Sequence, residues 1–156
     1  MFSTAGARLY LGDEMDGGWL DAAAFSHIAS WVEIGSTTNL GRSGVRTEVE
    51  RVALPICDEP EKPALVRKDA VTLDGGTMIV FADLSHTDAG QMLAWASVGL
   101  TRAVRLILPP PPTGPTPTRL FVALVAAVDE QWNEANNAMQ LMIELELDSN
   151  VVRTTL

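Results

Sequence analysis

Apolar and polar residues alternate along much of this chain, and that alternation predicts a protein built mainly of strands. Ala7, Leu9 and Leu11 share one face of residues 7–11, and Gly12-Asp13 is expected to end this first strand. Asp16-Gly17-Gly18 reads as a loop. Two periods compete next: Phe25, Ile28 and Val32 fit helical spacing, whereas Trp31-Val32-Glu33-Ile34 begins a period-2 run, and the reading favours a strand from Ser30. Residues 35–44 are rich in Ser, Thr, Asn and Gly and are expected to form a loop. Residues 45–54 set Arg46, Glu48 and Glu50 against Val45, Thr47 and Val49, the pattern of a half-exposed strand.

Pro55, Pro60 and Pro63, interleaved with Asp58, Glu59 and Glu61, cannot join a sheet interior, so residues 55–68 are expected to form a long surface loop. A loop of that length in one domain is usually functional or ordered by a partner. Residues 71–73 and 77–81 flank Asp74-Gly75-Gly76, whose glycines supply the positive φ angles of a tight hairpin turn. Asp88 stands three residues before Gln91, the spacing of a capping box, and predicts a helix over 88–98 that Gly99 ends. Ala89, Met92, Leu93, Ala96 and Leu100 fall on one side of it and are expected to face the core, with Trp95 at the edge as core filler or as a contact to a neighbouring subunit.

A strand over 102–108 leads into Pro109-Pro110-Pro111-Pro112-Thr113-Gly114-Pro115-Thr116-Pro117, which lacks most amide donors and must be extended, a spacer between strands. The two most hydrophobic strands follow at 119–128 and 138–147. In the second, Leu141, Ile143, Leu145 and Leu147 alternate with Met142, Glu144 and Glu146, giving one core face and one short acidic stripe. No internal repeat is evident, and residues 1–156 are expected to form one domain.

Composition narrows the function classes. A chain that is 47% hydrophobic and 20% charged can build a core, which excludes whole-chain disorder. The apolar run that includes residues 121–128 is far short of the roughly 18 to 20 residues a helical membrane span needs, and the first residues show neither the basic nor the apolar region of a secretory signal. The net charge of −9 opposes tight binding to nucleic acid, because affinity for phosphate comes from Lys and Arg. Acidic walls do, however, let a polyanion pass without sticking.

Chemistry finds no anchor. Cys57 is the single cysteine and can make no internal disulfide or thiolate cluster. Neither His27 nor His86 has a second His or Cys at metal-ligand spacing. His86 lies near Asp83 and Asp88 in a strand-to-helix turn where a catalytic pair can sit, but carboxylates are favoured at a helix N-terminus in any case. There is no phosphate-binding loop and no nucleophile elbow. No cofactor, metal or catalytic residue is expected, and an enzyme is the weakest reading.

Several segments together resemble the tail tube proteins of long-tailed bacteriophages, a family that shares its fold with the tubes of gene transfer agents and of secretion systems. The likeness is carried by Trp31-Val32-Glu33-Ile34, by residues 88–99 with the strand after them, and by Phe121-Val122-Ala123-Leu124-Val125 leading through residues 134–139 to Ile143-Glu144-Leu145-Glu146-Leu147-Asp148. The run from Pro109 to Pro117 departs from the family pattern. The resemblance implies a β-sandwich or barrel of two packed antiparallel sheets flanked by one helix, in hexameric rings stacked as a hollow tube through which DNA passes. It implies a place in the virion tail, assembly in the host cytoplasm, and contacts with tape measure, tail-tip and terminator proteins. It points to Glu144, Glu146, Glu48 and Glu50 as candidates for the lumen. Phe2, Pro55, Glu59, Pro60, Glu61 and Lys62, together with Trp95, are the candidates for contacts between subunits. Alternatives are another ring-forming tail component, a secretion-system tube subunit, or a monomeric β-sandwich binding module; the four Trp, spread along the chain, disfavour the last.

Overall fold

The computed structural model describes residues 6–42, 46–54, 65–132 and 138–156. In chain order the elements are β1 (Arg8–Glu14), a 3-10 turn (Ala22–Phe25), β2 (Val32–Glu33), β3 (Thr37–Asn39), β4 (Arg46–Leu54) and β5 (Leu65–Asp74). β6 (Thr77–Asp83), α1 (Ala89–Ala96), β7 (Thr101–Ile107), β8 (Pro117–Gln131), β9 (Gln140–Leu147) and β10 (Val152–Thr155) follow. Eight strands form one antiparallel sheet in the order β2-β1-β7-β8-β9-β6-β3, with β10 on β8, while β4 and β5 pair with each other as a separate ribbon. The mainly β class with one helix is therefore the class of the fold.

The large sheet is curled. Leu9 and Leu11 of β1 share one hydrophobic cluster with Val80 and Ala82 of β6, near the opposite end of the strand order, through Val104, Phe121, Val125, Ile143 and Leu145. One interior common to every major strand requires the sheet to wrap around it. The ends of the path, β2 and β3, are joined covalently by residues 34–36, where Ile34 N donates to Leu9 O and Ser36 O accepts from Asp83 N. Strict alternation along β9 sends Leu141, Ile143, Leu145 and Leu147 inward and Gln140, Met142, Glu144 and Glu146 outward. In β8 a register shift between Val125 and Ala127 inserts an extra residue, so Val125 and Val128 both reach the interior.

α1 locks this closure. Asp88 caps it, accepting from Gln91 N at 2.8 Å and from Gly35 N at 3.2 Å on each carboxylate oxygen. The Gln91 side chain does not return to Asp88 as a capping box would have it. It is 1% exposed, donates to Asp83 O (2.8 Å) and Gly35 O (3.3 Å), and accepts from Ser85 N (2.9 Å). One buried amide thus ties the helix to the end of β6 and to the β2–β3 junction. At the other end, Arg102 Nε donates to Ser97 Oγ (2.5 Å) and Nη1 to Gly12 O (2.9 Å), fastening the helix terminus to β1. Asp88→Ala removes the cap and strands the Gly35 amide; a loss of about 2 kcal/mol is expected, a fall in Tm of roughly 4–8 °C for a chain of this size, measured by thermal unfolding.

Several expectations are corrected. Gly12-Asp13 does not end β1, which runs to Glu14 past an irregularity in register; Gly12 is buried, and a side chain there would press on Ile28 and Trp31 at 3.0 Å. The strand favoured from Ser30 shrinks to the two residues of β2, preceded by the 3-10 turn. β3 lies inside the segment read as loop, held by β6 despite its polar sequence. Leu65–Lys68, expected to be loop, belong to β5. Asp74-Gly75-Gly76 is a turn, with Gly76 at φ 72° and its amide donating to Asp74 Oδ1, but it makes no hairpin. β5 pairs with β4, whereas β6 pairs with β9 and β3. The turn hands the chain from the ribbon to the sheet, crossing the end of β9, where Leu147 N donates to Gly76 O. The proline-rich run joins the neighbouring strands β7 and β8, closed by Leu108 N to Pro117 O.

Candidate assembly and lumen surfaces

The outer face of the sheet has two halves. Over one half the segment around the 3-10 turn folds back, and Phe25, Ile28, Ala103, Leu120 and Val122 form a second, smaller core, with Trp31, Met15, Leu20 and Val152 against it. The other half is set out by the pairing of β6, β9 and β8. Thr77, Glu146 and Leu124 lie in one row, Ile79, Glu144 and Ala127 in the next, then Phe81, Met142 and Asp129, then Asp83, Gln140 and Gln131. These rows hold Glu144, Glu146, Asp83 and Asp129 and neither Lys nor Arg. Glu144 and Glu146 are half-buried among their row neighbours, and Glu146 Oε1 accepts from Thr77 Oγ1 at 2.8 Å. The acidic stripe read from the sequence is thus part of a wider acidic face, in which Ile79 remains 39% exposed.

Glu48 and Glu50 do not join it. They lie on the separate ribbon, opposite Thr72 and Asp69, and Glu50 is exposed. Phe2, Pro55, Glu59, Pro60, Glu61 and Lys62, and Cys57, fall outside the described residues.

The helix surface reverses the expected orientation. Ala89, Met92, Ala96 and Leu100, assigned to the core by their spacing, are exposed, and only Leu93 of that set is half-buried. The face turned inward carries Gly90, Gln91 and Ala94, with Ser97 following. The reason is distance: the helix sits so close to the β2–β3 junction that a side chain on Gly90 would collide with the Glu33 carbonyl oxygen. Only small residues and one well-bonded amide fit beneath it. Met92, Trp95, Val98 and Leu100 consequently form an apolar surface, Trp95 being 46% exposed, in a stretch without one charged residue from Ala89 to Thr101.

An arginine cluster with aromatic partners lies on β1 and β7. The Arg105 guanidinium carbon lies 4.6 Å from the centres of both the Tyr10 and the Trp31 ring. Burial pulls the Arg105 pKa below its ordinary value, against the smaller influence of Tyr10. Arg8 is raised, first by hydrogen bonding to Tyr10 and then by Glu33, to which it makes an ion pair at 3.8 Å. Sequence reading missed this arrangement, because the Tyr10–Arg105 pairing depends on the β1–β7 register. His86 is exposed, and the carboxylate of nearby Asp88 is occupied as the helix cap. Among the described residues no group of His, Cys, Asp or Glu gathers as metal ligands, and no helix is long and apolar enough to cross a membrane.

No protein-family model matches the chain, and no curated protein is similar to it in sequence. Solved structures share its fold. The chain is similar to the tail tube subunit of phage SPP1, with a TM-score of 0.66 at 10% identity, covering 100% of this chain and 80% of that one. It is also similar to a chain in the six-fold symmetrised baseplate of the anti-feeding prophage, with a TM-score of 0.63 at 11% identity over 96% of this chain and 90% of that one. The fold is that of tail tube proteins, at a sequence identity of only 10–11%.

Proposed function

We propose that the chain is a structural subunit that assembles into hexameric rings, stacked as the hollow tube of a phage-type tail and offering an acidic conduit to DNA during ejection. The observation that carries this reading is likeness over the whole chain to a subunit of an assembled tail tube. Two surfaces support it independently. The face of β6, β9 and β8, acidic and free of cations, suits a bore past which a polyanion must slide. The uncharged surface of Met92, Trp95, Val98 and Leu100 suits burial against a neighbour. In this reading Glu144 and Glu146 face the lumen, while the N-terminal segment with Phe2 and the segment with Pro55, Glu59, Pro60, Glu61 and Lys62 reach adjoining subunits. Tape measure, tail-tip and terminator proteins are its partners in the virion tail.

Negative-stain electron microscopy of the concentrated protein, with its solution mass, tests the proposal. Six-fold rings or hollow tubes are expected; a monomer that never assembles, even with tail-tip components, overturns it. Likeness to a baseplate chain favours a second reading, a ring that terminates a tube instead of propagating one, and single rings that do not stack would select it. Trp95→Asp should keep the fold within about 1 kcal/mol, since the side chain is half open to solvent. The same change should raise the concentration needed for assembly roughly ten-fold or more, read by sedimentation.

A further inference from the structure

Arg105 is held between two aromatic rings, and among the described residues no Asp or Glu pairs with it. Its guanidinium lies against Tyr10 and Trp31, and its Nε is buried without a hydrogen-bond partner. Arg8, on the same strand as Tyr10, has Glu33, and Arg102 has Ser97 and Gly12; among the described residues Arg105 has no such anchor. Leaving a buried donor unsatisfied is costly, and natural structures seldom do so without a use for it. Beside it opens a surface cleft of about 230 Å³ between the 3-10 turn and the strands β7, β8 and β10. Its walls combine an apolar floor, Phe25, Leu120 and Trp31, with Thr118, Thr154 and Thr155.

A planar guanidinium fixed by aromatic contacts recognises a carboxylate in two-point fashion, and the apolar floor suits the stem of an acidic side chain. We propose that this cleft is a socket for an Asp or Glu side chain from an adjoining copy of the chain. The inference rests on the assembly reading above and adds a contact to it. Charge complementarity selects the occupant. The chain carries 20 acidic residues against 11 Lys and Arg, and copies each bearing −9 repel one another unless cations are placed where they meet. An arginine whose position is set before the encounter loses less freedom on binding than a mobile surface lysine.

The test compares the wild type with Arg105→Met, which keeps the bulk beside the rings and removes the charge, and with Arg105→Lys. Each is examined for monomer Tm, for the concentration at which assembly begins, and for the dependence of that concentration on salt. Arg105→Met should fold as the wild type does, because it removes a desolvated charge. It should raise the assembly concentration at least ten-fold and flatten its salt dependence, whereas Arg105→Lys recovers only part of the loss. A photo-crosslinker at Thr154 in assembled protein should capture a peptide of a second copy bearing Asp or Glu. If the wild type assembles and Arg105→Met assembles equally well, the socket is refuted while the tube reading stands. A crosslinked peptide without an acid refutes it too, as does stabilisation of the monomer by citrate or phosphate with assembly unchanged, which would make this a small-anion site. If the wild type forms no rings at all, the assembly reading falls and the socket with it.

Discussion

Gly90→Ala is expected to destabilise the protein by about 3 kcal/mol, lowering Tm by roughly 6–12 °C, although the same change in most helices is stabilising. Alanine is the better helix former by about 1 kcal/mol, so propensity alone predicts a gain. Geometry outweighs it. A Cβ on Gly90 would run into the Glu33 carbonyl oxygen, and would stand 2.5 Å from the carbonyl carbon and 2.6 Å from Ile34 Cα. All three are backbone atoms, so no rotamer change can make room. The helix must lift or residues 33–34 must retreat, and either movement loosens Asp88 and Gln91 from Gly35. Gly99→Ala is the control, since Gly99 has φ 85° and nothing near its missing side chain. It should cost only about 1 kcal/mol of local strain. Thermal and urea unfolding of both variants measures the contrast; a Gly90→Ala protein as stable as the wild type would show that the helix does not lie so close. Because Met92 and Trp95 ride on the same helix, the variant should also assemble poorly at temperatures where it remains folded.

What the sequence made legible follows from which forces are local. The alternation of β9 is a property of successive residues, and both its core face and its acidic face could be read directly. The cap at Asp88 was equally plain, because it needs only an acceptor at the right place before a helix. The helix face was misread for a reason that no periodicity contains. Spacing identifies an apolar side, but here that side is turned outward and the inward side is selected for smallness, by close approach to residues 33–35. The signal for this was present in Gly90 and Ala94, and apolarity overrode it. The turn at Asp74-Gly75-Gly76 failed similarly. Its local chemistry was right, yet which strands pair is settled by the long-range match of β6 to β9. Arg105 was invisible for the same cause, since Tyr10 and Trp31 reach it only through the folding back of distant segments.

If the face of β6, β9 and β8 lines the bore, as proposed above, replacing Glu144 and Glu146 together by Lys should turn a passive conduit into one that holds DNA. Each change removes a negative charge and adds a positive one, so the subunit moves from −9 to −5, with all of the difference placed on one face of β9. Stability should change by only about 1 kcal/mol, since both side chains lie on the outer face and Glu146 loses a single hydrogen bond, from Thr77. The effect on DNA should be far larger, because every ring repeats the substitution and each added lysine releases counterions from phosphate. Tubes assembled in the presence of a short duplex should sediment without it when wild type and with it when doubly substituted. The bound duplex should leave as salt is raised from about 50 to 200 mM. Nuclease separates the two places where such binding can occur. Duplex inside a bore is protected, whereas duplex on the outer wall is digested while still bound. Protected DNA supports the lumen assignment of the β6, β9 and β8 face. Bound but digestible DNA would move that face to the outside of the tube and leave the conduit to the ribbon that carries Glu48 and Glu50.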